Sequence, residues 1–95
     1  MLLIKRKCTK EVAGTIVEVW QDRGRPNRVY VEFFANGFLY TISERVRFFY
    51  KTVKIGGFSV GRYKVPKIKD LKQGTAVHVK YNPENPCRSY IVENR

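Results

Sequence analysis

Histidine, tryptophan and methionine each occur once in this 95-residue chain, cysteine twice, and Asp and Glu together eight times. These shortages exclude several function classes. A structural zinc site needs four clustered ligands, and Cys8, Cys87 and His78 cannot supply one without a carboxylate. A general base needs positioned partners. His78 lies in a strand-like stretch with no Ser, Cys or carboxylate at a telling spacing, so it reads as an ordinary strand-face residue. The acids are scattered. Glu18 with Asp22, and Glu84 with Glu93, come near each other in sequence, and neither reads as a glycosidase pair. No catalytic residue, metal ligand or cofactor is expected, and the chain reads as a non-enzyme.

Two cysteines are too few for a disulfide framework and do not fix the compartment. Cys8 and Cys87 can form one bridge if the chain ends lie side by side, or stay as two thiols. Apolar runs are also short: none approaches the roughly 18 residues of a membrane span. Met1-Leu2-Leu3-Ile4 followed by Lys5-Arg6-Lys7 reads either as the stub of an apolar helix with a basic stop, or as an ordinary first strand or frayed end. Gly56-Gly57-Phe58-Ser59-Val60-Gly61 has neither dinucleotide nor P-loop spacing and reads as a flexible hairpin connection.

What the chain has is positive charge and aromatic rings. Nineteen Lys and Arg give a formal charge of +11, and six Tyr and six Phe accompany many Val. That composition favours strands and gives one small domain enough apolar surface to fold. Residues 1–11 form a basic N-terminal segment and residues 12–95 a single β-barrel-like domain. The first clear strand is Val12–Trp20, with Gly14 marking a bulge or a close backbone approach. Gln21–Asn27 is a polar turn.

The strongest local signal is Asn36-Gly37, which predicts a two-residue type I′ turn between Arg28–Ala35 and Phe38–Ser43. The register then pairs Phe34 with Leu39, Phe33 with Tyr40, Glu32 with Thr41 and Val31 with Ile42. One face carries Val29, Val31, Phe33, Ala35, Phe38, Tyr40 and Ile42 and is assigned to the core. Arg45–Lys51 either extends the second arm or starts a new strand, and Phe58, Val60, Tyr63 and Val65 hint at short strands. Ile68–Leu71 forms at most one turn. Thr75–Tyr81 is a strand, Asn82-Pro83-Glu84-Asn85 a type I turn, and Arg88–Val92 a last strand. The class is all-β: a five- to seven-stranded antiparallel barrel or sandwich, with an OB- or SH3-like barrel among the options.

The basic residues are the one functional lead. Arg45, Arg47, Lys51, Lys54, Arg62, Lys64, Lys67 and Lys69 lie in a stretch whose lone acid is Asp70, interleaved with Phe49, Tyr50 and Phe58 as candidate stacking platforms. Cations beside exposed aromatics suit single-stranded nucleic acid, since cations neutralise phosphates and rings stack on bases. An anionic lipid surface is equally served by the charge. The plainer alternative buries the rings and leaves the cations as a solvated, aggregation-resistant edge. An anionic partner is expected, and a protein partner is a further option.

Leu71–Pro86 resembles the C-terminal signature of a bacterial family of unknown function: a Gly, a Val-x-Val-x-Tyr strand, then an Asp/Asn-Pro-x-Asn-Pro turn. Here these are Gly74, Val77-His78-Val79-Lys80-Tyr81 and Asn82-Pro83-Glu84-Asn85-Pro86. Gly14-Thr15-Ile16-Val17, Tyr30-Val31-Glu32-Phe33 and Gly37-Phe38-Leu39-Tyr40-Thr41 are similar to its earlier pieces, while Arg45–Lys69 does not match. The resemblance implies a small β-domain often found beside transmembrane helices, with no established activity. The chain departs from that pattern in having no such helix, as a soluble piece of a longer membrane-associated protein would. The expected role is therefore a structural or binding accessory module of a membrane-associated bacterial protein. The alternative is a nucleic-acid-binding barrel.

Overall fold

A computed structural model describes residues 7–95. The Met1–Arg6 reading lies outside the described residues. From Lys10 onward the chain forms seven antiparallel strands: β1 (Lys10–Asp22), β2 (Arg25–Ala35), β3 (Phe38–Arg45), β4 (Phe48–Ile55), β5 (Phe58–Pro66), β6 (Ala76–Asn82) and β7 (Asn85–Ile91). A 3-10 turn, Val92–Asn94, follows. Five strands make one nearly closed, barrel-like sheet in the order β3-β2-β1-β6-β7, and β4 and β5 form a separate two-stranded ribbon. The all-β class is as expected.

Three hairpins turn through two residues that both have positive φ: Arg23-Gly24, Asn36-Gly37 and Gly56-Gly57. This is the reversal whose twist matches that of paired strands. At Asn36-Gly37 the expected register holds, with Val31 opposite Ile42 and Phe33 opposite Tyr40. The expected Gln21–Asn27 turn contracts to Arg23-Gly24, because β1 and β2 keep pairing as far as Asp22 and Arg25.

The core comprises Ile16, Val29, Val31, Phe33, Ala35, Val46, Ile68, Val77, Val79 and Ile91. Phe33 sits at its centre, with Tyr40 and Tyr81 rings each 5.8 Å away. Tyr40 and Ile42 pack against this core as expected, but Phe38 does not and is 67% exposed. It is paired with Ala35 at the last rung before the turn, so its ring overhangs the rim of the sheet. Gly14 is a close approach: a Cβ there would lie 2.8 Å from Val31 Cγ1. The bulge falls instead near Val17, between the Ile16 and Glu18 pairings. It reverses the alternation, so Val19 packs on the core and Trp20 turns outward, 57% exposed.

A polar clasp closes the gap between the edge strands. Asn94 is fully buried; its Nδ2 donates to Glu44 Oε1 (2.9 Å) and to the Arg45 carbonyl (3.0 Å). Its Oδ1 accepts the Arg47 N–H at 2.9 Å. Glu44 Oε2 accepts from the Ile91 N–H and from Arg95 Nη2. Residues at the ends of β3 and β7 are thus joined without a strand ladder.

Candidate functional site

Among the described residues β4 and β5 make extensive contacts only with each other, and every residue from Phe49 to Lys64 is exposed. Their base is anchored. The Val46 N–H donates to the Asn27 carbonyl (2.8 Å), the Lys67 N–H to the Arg47 carbonyl (2.9 Å), and the Arg47 N–H to Asn94. Buried Val46 and Ile68 pin the two legs to the core on either side. The expected Ile68–Leu71 turn is a bend carrying that anchor. A two-stranded ribbon alone is marginally stable in water, so these base contacts hold it out from the sheet.

Pairing runs from Phe48 opposite Pro66 to Ile55 opposite Phe58, with one bulge that leaves Val60 unpaired. Directly paired residues share a face. One face therefore bears Phe49, Lys51, Val53, Ile55, Phe58, Tyr63 and Val65, nearly all apolar. The other bears Phe48, Tyr50, Thr52, Lys54, Arg62 and Lys64. The ribbon has four cations, Lys51, Lys54, Arg62 and Lys64, and no carboxylate. Three of the four lie over rings: Arg62 over Tyr50 at 5.1 Å, Lys51 over Phe49 at 5.7 Å and Lys64 over Phe48 at 5.8 Å. Such placement restrains flexible cations at an exposed site.

The eight expected cations thus divide. Four lie on the ribbon. Arg45 and Arg47 flank Val46 at the end of β3, and Lys67 and Lys69 flank Ile68 beyond β5, so these four surround the base rather than the tip. Of the expected platforms, Phe58 stands at the tip, 76% exposed, while Phe49 and Tyr50 already lie against cations. The plainer expectation, that these rings fill the core, fails for the ribbon, whose rings from Phe49 to Tyr63 are exposed among the described residues.

Arg25 and Pro26 are not among the expected site residues. They belong to the β1–β2 hairpin, yet they line a groove of about 640 Å³ together with Phe48, Tyr50, Arg62, Lys64 and Pro66, and Tyr63 from the ribbon's other face reaches its edge. Nothing local signals this, because the two hairpins are distant in sequence. His78 likewise has a partner that spacing did not show: its Nδ1 lies 2.6 Å from Glu93 Oε2, and its N–H donates to the same carboxylate. That hydrogen bond, and then the Glu93 charge, push the imidazole pKa above its ordinary 6.5. For Glu93, burial alone would raise the pKa, but the donors from His78 outweigh it and the net shift is downward.

Cys8 and Cys87 are both free thiols. Buried Cys8 donates to the Arg88 carbonyl (3.3 Å), and burial pushes its thiol pKa up, while Cys87 is exposed. Cys8 does lie against β7, but the two cysteines differ in burial and are not joined. Among the described residues no helix is long and apolar enough to cross a membrane, and no three of His, Cys, Asp and Glu gather closely enough to hold a metal ion.

Comparison with curated proteins and with solved structures finds no match. A family model does match residues 12–95, from the third residue of β1 to Arg95, and the chain belongs to that family, DUF3592, a domain of unknown function.

Proposed function

We propose that this domain is a non-enzymatic binding module of a membrane-associated protein, and that it docks on an anionic bilayer through the β4–β5 ribbon. The observation that carries this reading is the ribbon's composition: exposed aliphatic and aromatic side chains at the tip, with four cations and no acid behind them. Ile55 and Phe58, 67% and 76% exposed, flank Gly56-Gly57. Soluble surfaces scatter such residues singly, and a contiguous set marks a contact.

The two contributions are of similar size. Each cation near an anionic leaflet gains about 1 kcal/mol. Fully burying an Ile or Phe side chain gains roughly 1.5–3 kcal/mol. Docking then needs both, so salt weakens it without abolishing it. The sparse acid–base inventory supports the non-enzymatic part of the reading. A nucleic-acid role is favoured by the open ring of Phe58. It is disfavoured by Val53, Ile55 and Val60, which gain nothing from a phosphate backbone, and by rings already covered by cations.

Sedimentation with vesicles tests this. The domain is expected to pellet with vesicles containing phosphatidylglycerol and to stay in solution with neutral phosphatidylcholine. Replacing both Ile55 and Phe58 by Ser is expected to lower binding about tenfold or more, from the lost apolar burial. Equal partition into both vesicle types, or into neither, refutes the reading. Tighter binding to a labelled single-stranded oligonucleotide than to the anionic vesicles moves the function to nucleic acid.

A further inference from the structure

The ribbon's other face turns toward the β1–β2 hairpin, and there three cations converge. Arg62 and Lys64 come from β5, and Arg25 from the start of β2. With Tyr50, Phe48 and Pro26 they line the groove of about 640 Å³. We propose that this groove is a binding site for a phosphate group carried on an organic moiety. The proposal rests on the docking reading for its lipid source, because a ribbon lying on an anionic bilayer brings lipid phosphodiesters to the groove.

Gathering three like charges costs Coulombic energy unless something opposes it. Among the described residues the ion pairs are His78 with Glu93 and Arg95 with Glu44, so no carboxylate neutralises Arg25, Arg62 or Lys64. Asp22, the cross-strand partner of Arg25, lies on a neighbouring concavity and makes no ion pair with it. A bound anion therefore displaces no internal salt bridge.

Two of the cations are also held in place. The Arg62 guanidinium is kept over Tyr50 and the Lys64 ammonium over Phe48, so less side-chain freedom is lost on binding. Planar guanidinium groups present paired N–H donors that match two oxygens of one phosphate. The aromatic and proline surfaces between them suit the apolar part of the same molecule, such as the glycerol carbons beside a headgroup phosphate. Lys51, on the opposite face, and Lys54, toward the tip, do not line the groove. That difference separates a built site from diffuse attraction.

The experiment follows backbone and side-chain NMR shifts of the whole chain during titration with glycerol 3-phosphate, with inorganic phosphate and chloride in parallel. Vesicle affinity is measured on the same variants. Saturable shifts confined to the groove's lining residues, Arg25, Arg62, Lys64, Tyr50 and Tyr63 foremost, are expected with glycerol 3-phosphate. The double variant R25Q/R62Q is expected to lose about tenfold or more in affinity for both glycerol 3-phosphate and anionic vesicles, whereas K51Q/K54Q, with the same charge change, loses much less for the soluble ligand. Arg25, Lys51, Lys54 and Arg62 are all exposed, so circular dichroism is expected to remain unchanged.

Shifts that are uniform and non-saturating overturn the site. So do equal losses in the two double variants, and in either case vesicle binding by the unaltered protein leaves the docking reading standing. Saturable groove shifts in a protein that ignores vesicles uphold the site, assign it to a soluble phosphate compound, and refute the docking reading instead.

Discussion

Asn94 donates its side-chain amide to Glu44 at 2.9 Å across fifty residues of sequence, with no part of Asn94 exposed to water. The same side chain accepts the Arg47 N–H, so one buried amide both closes the sheet and fixes the leg on which the cationic ribbon stands. Both polar atoms of the Asn94 side chain are satisfied, as a buried amide requires.

Replacing Asn94 with Ala leaves the Arg47 N–H and one Glu44 oxygen without their partner. Each such loss costs about 1–3 kcal/mol, so Asn94→Ala is expected to destabilise the domain by roughly 2–4 kcal/mol in denaturant unfolding. Hydrogen exchange is expected to quicken at the Arg47 and Lys67 amides before it does in β1 and β2. Unchanged exchange at those two amides would separate the clasp from the ribbon.

Gly14 faces Val31, Val79 and the Glu32 carbonyl so closely that a methyl group does not fit without movement. Gly14→Ala is expected to cost about 1–3 kcal/mol by overpacking. Thr15→Ala, on the outer face of the same strand, is expected to stay within about 0.5 kcal/mol. Thermal unfolding of the two variants decides it, and comparable stabilities would mean that β1 shifts to admit the methyl.

The His78–Glu93 pair makes docking of the C-terminal turn depend on pH. The raised histidine pKa means that its contribution is complete below the ordinary 6.5 and fades as pH rises through the folded value. The lowered Glu93 pKa means that its contribution is complete above the ordinary 4.5 and fades as pH falls through the folded value. Protection of the His78 amide, which donates to Glu93, is therefore expected to peak between those limits. NMR titration is expected to place the imidazole midpoint above 6.5, and Glu93→Gln to return it toward that value. A midpoint indifferent to Glu93→Gln would contradict the contact.

Much of the fold was legible in residue order. Asn36-Gly37 set both a turn and a register, and the alternation of Val29, Val31 and Phe33 set the inward face, because positive-φ preference and period-two patterning are local. The same logic failed at Phe38, whose parity is right but whose rung lies at the rim. It was also silent at Trp20, since a bulge near Val17 shifts parity without a distinctive sequence mark. The candidate site was legible as charge and aromaticity in one stretch. Its division into a ribbon and a base was not, because that depends on where Val46 and Ile68 are buried.

Residue order by itself determined an all-β domain, the Asn36-Gly37 hairpin and a cation-rich, aromatic stretch in the middle of the chain, all through preferences that act over a few neighbouring residues. Tertiary structure alone decided that Arg25 would join Arg62 and Lys64 in one groove, that Glu93 would meet His78, and that Asn94 would close the sheet on Glu44. Each of those meetings joins residues well separated along the chain. Such pairings follow from how the strands curve and close around Phe33, which no short stretch of sequence encodes.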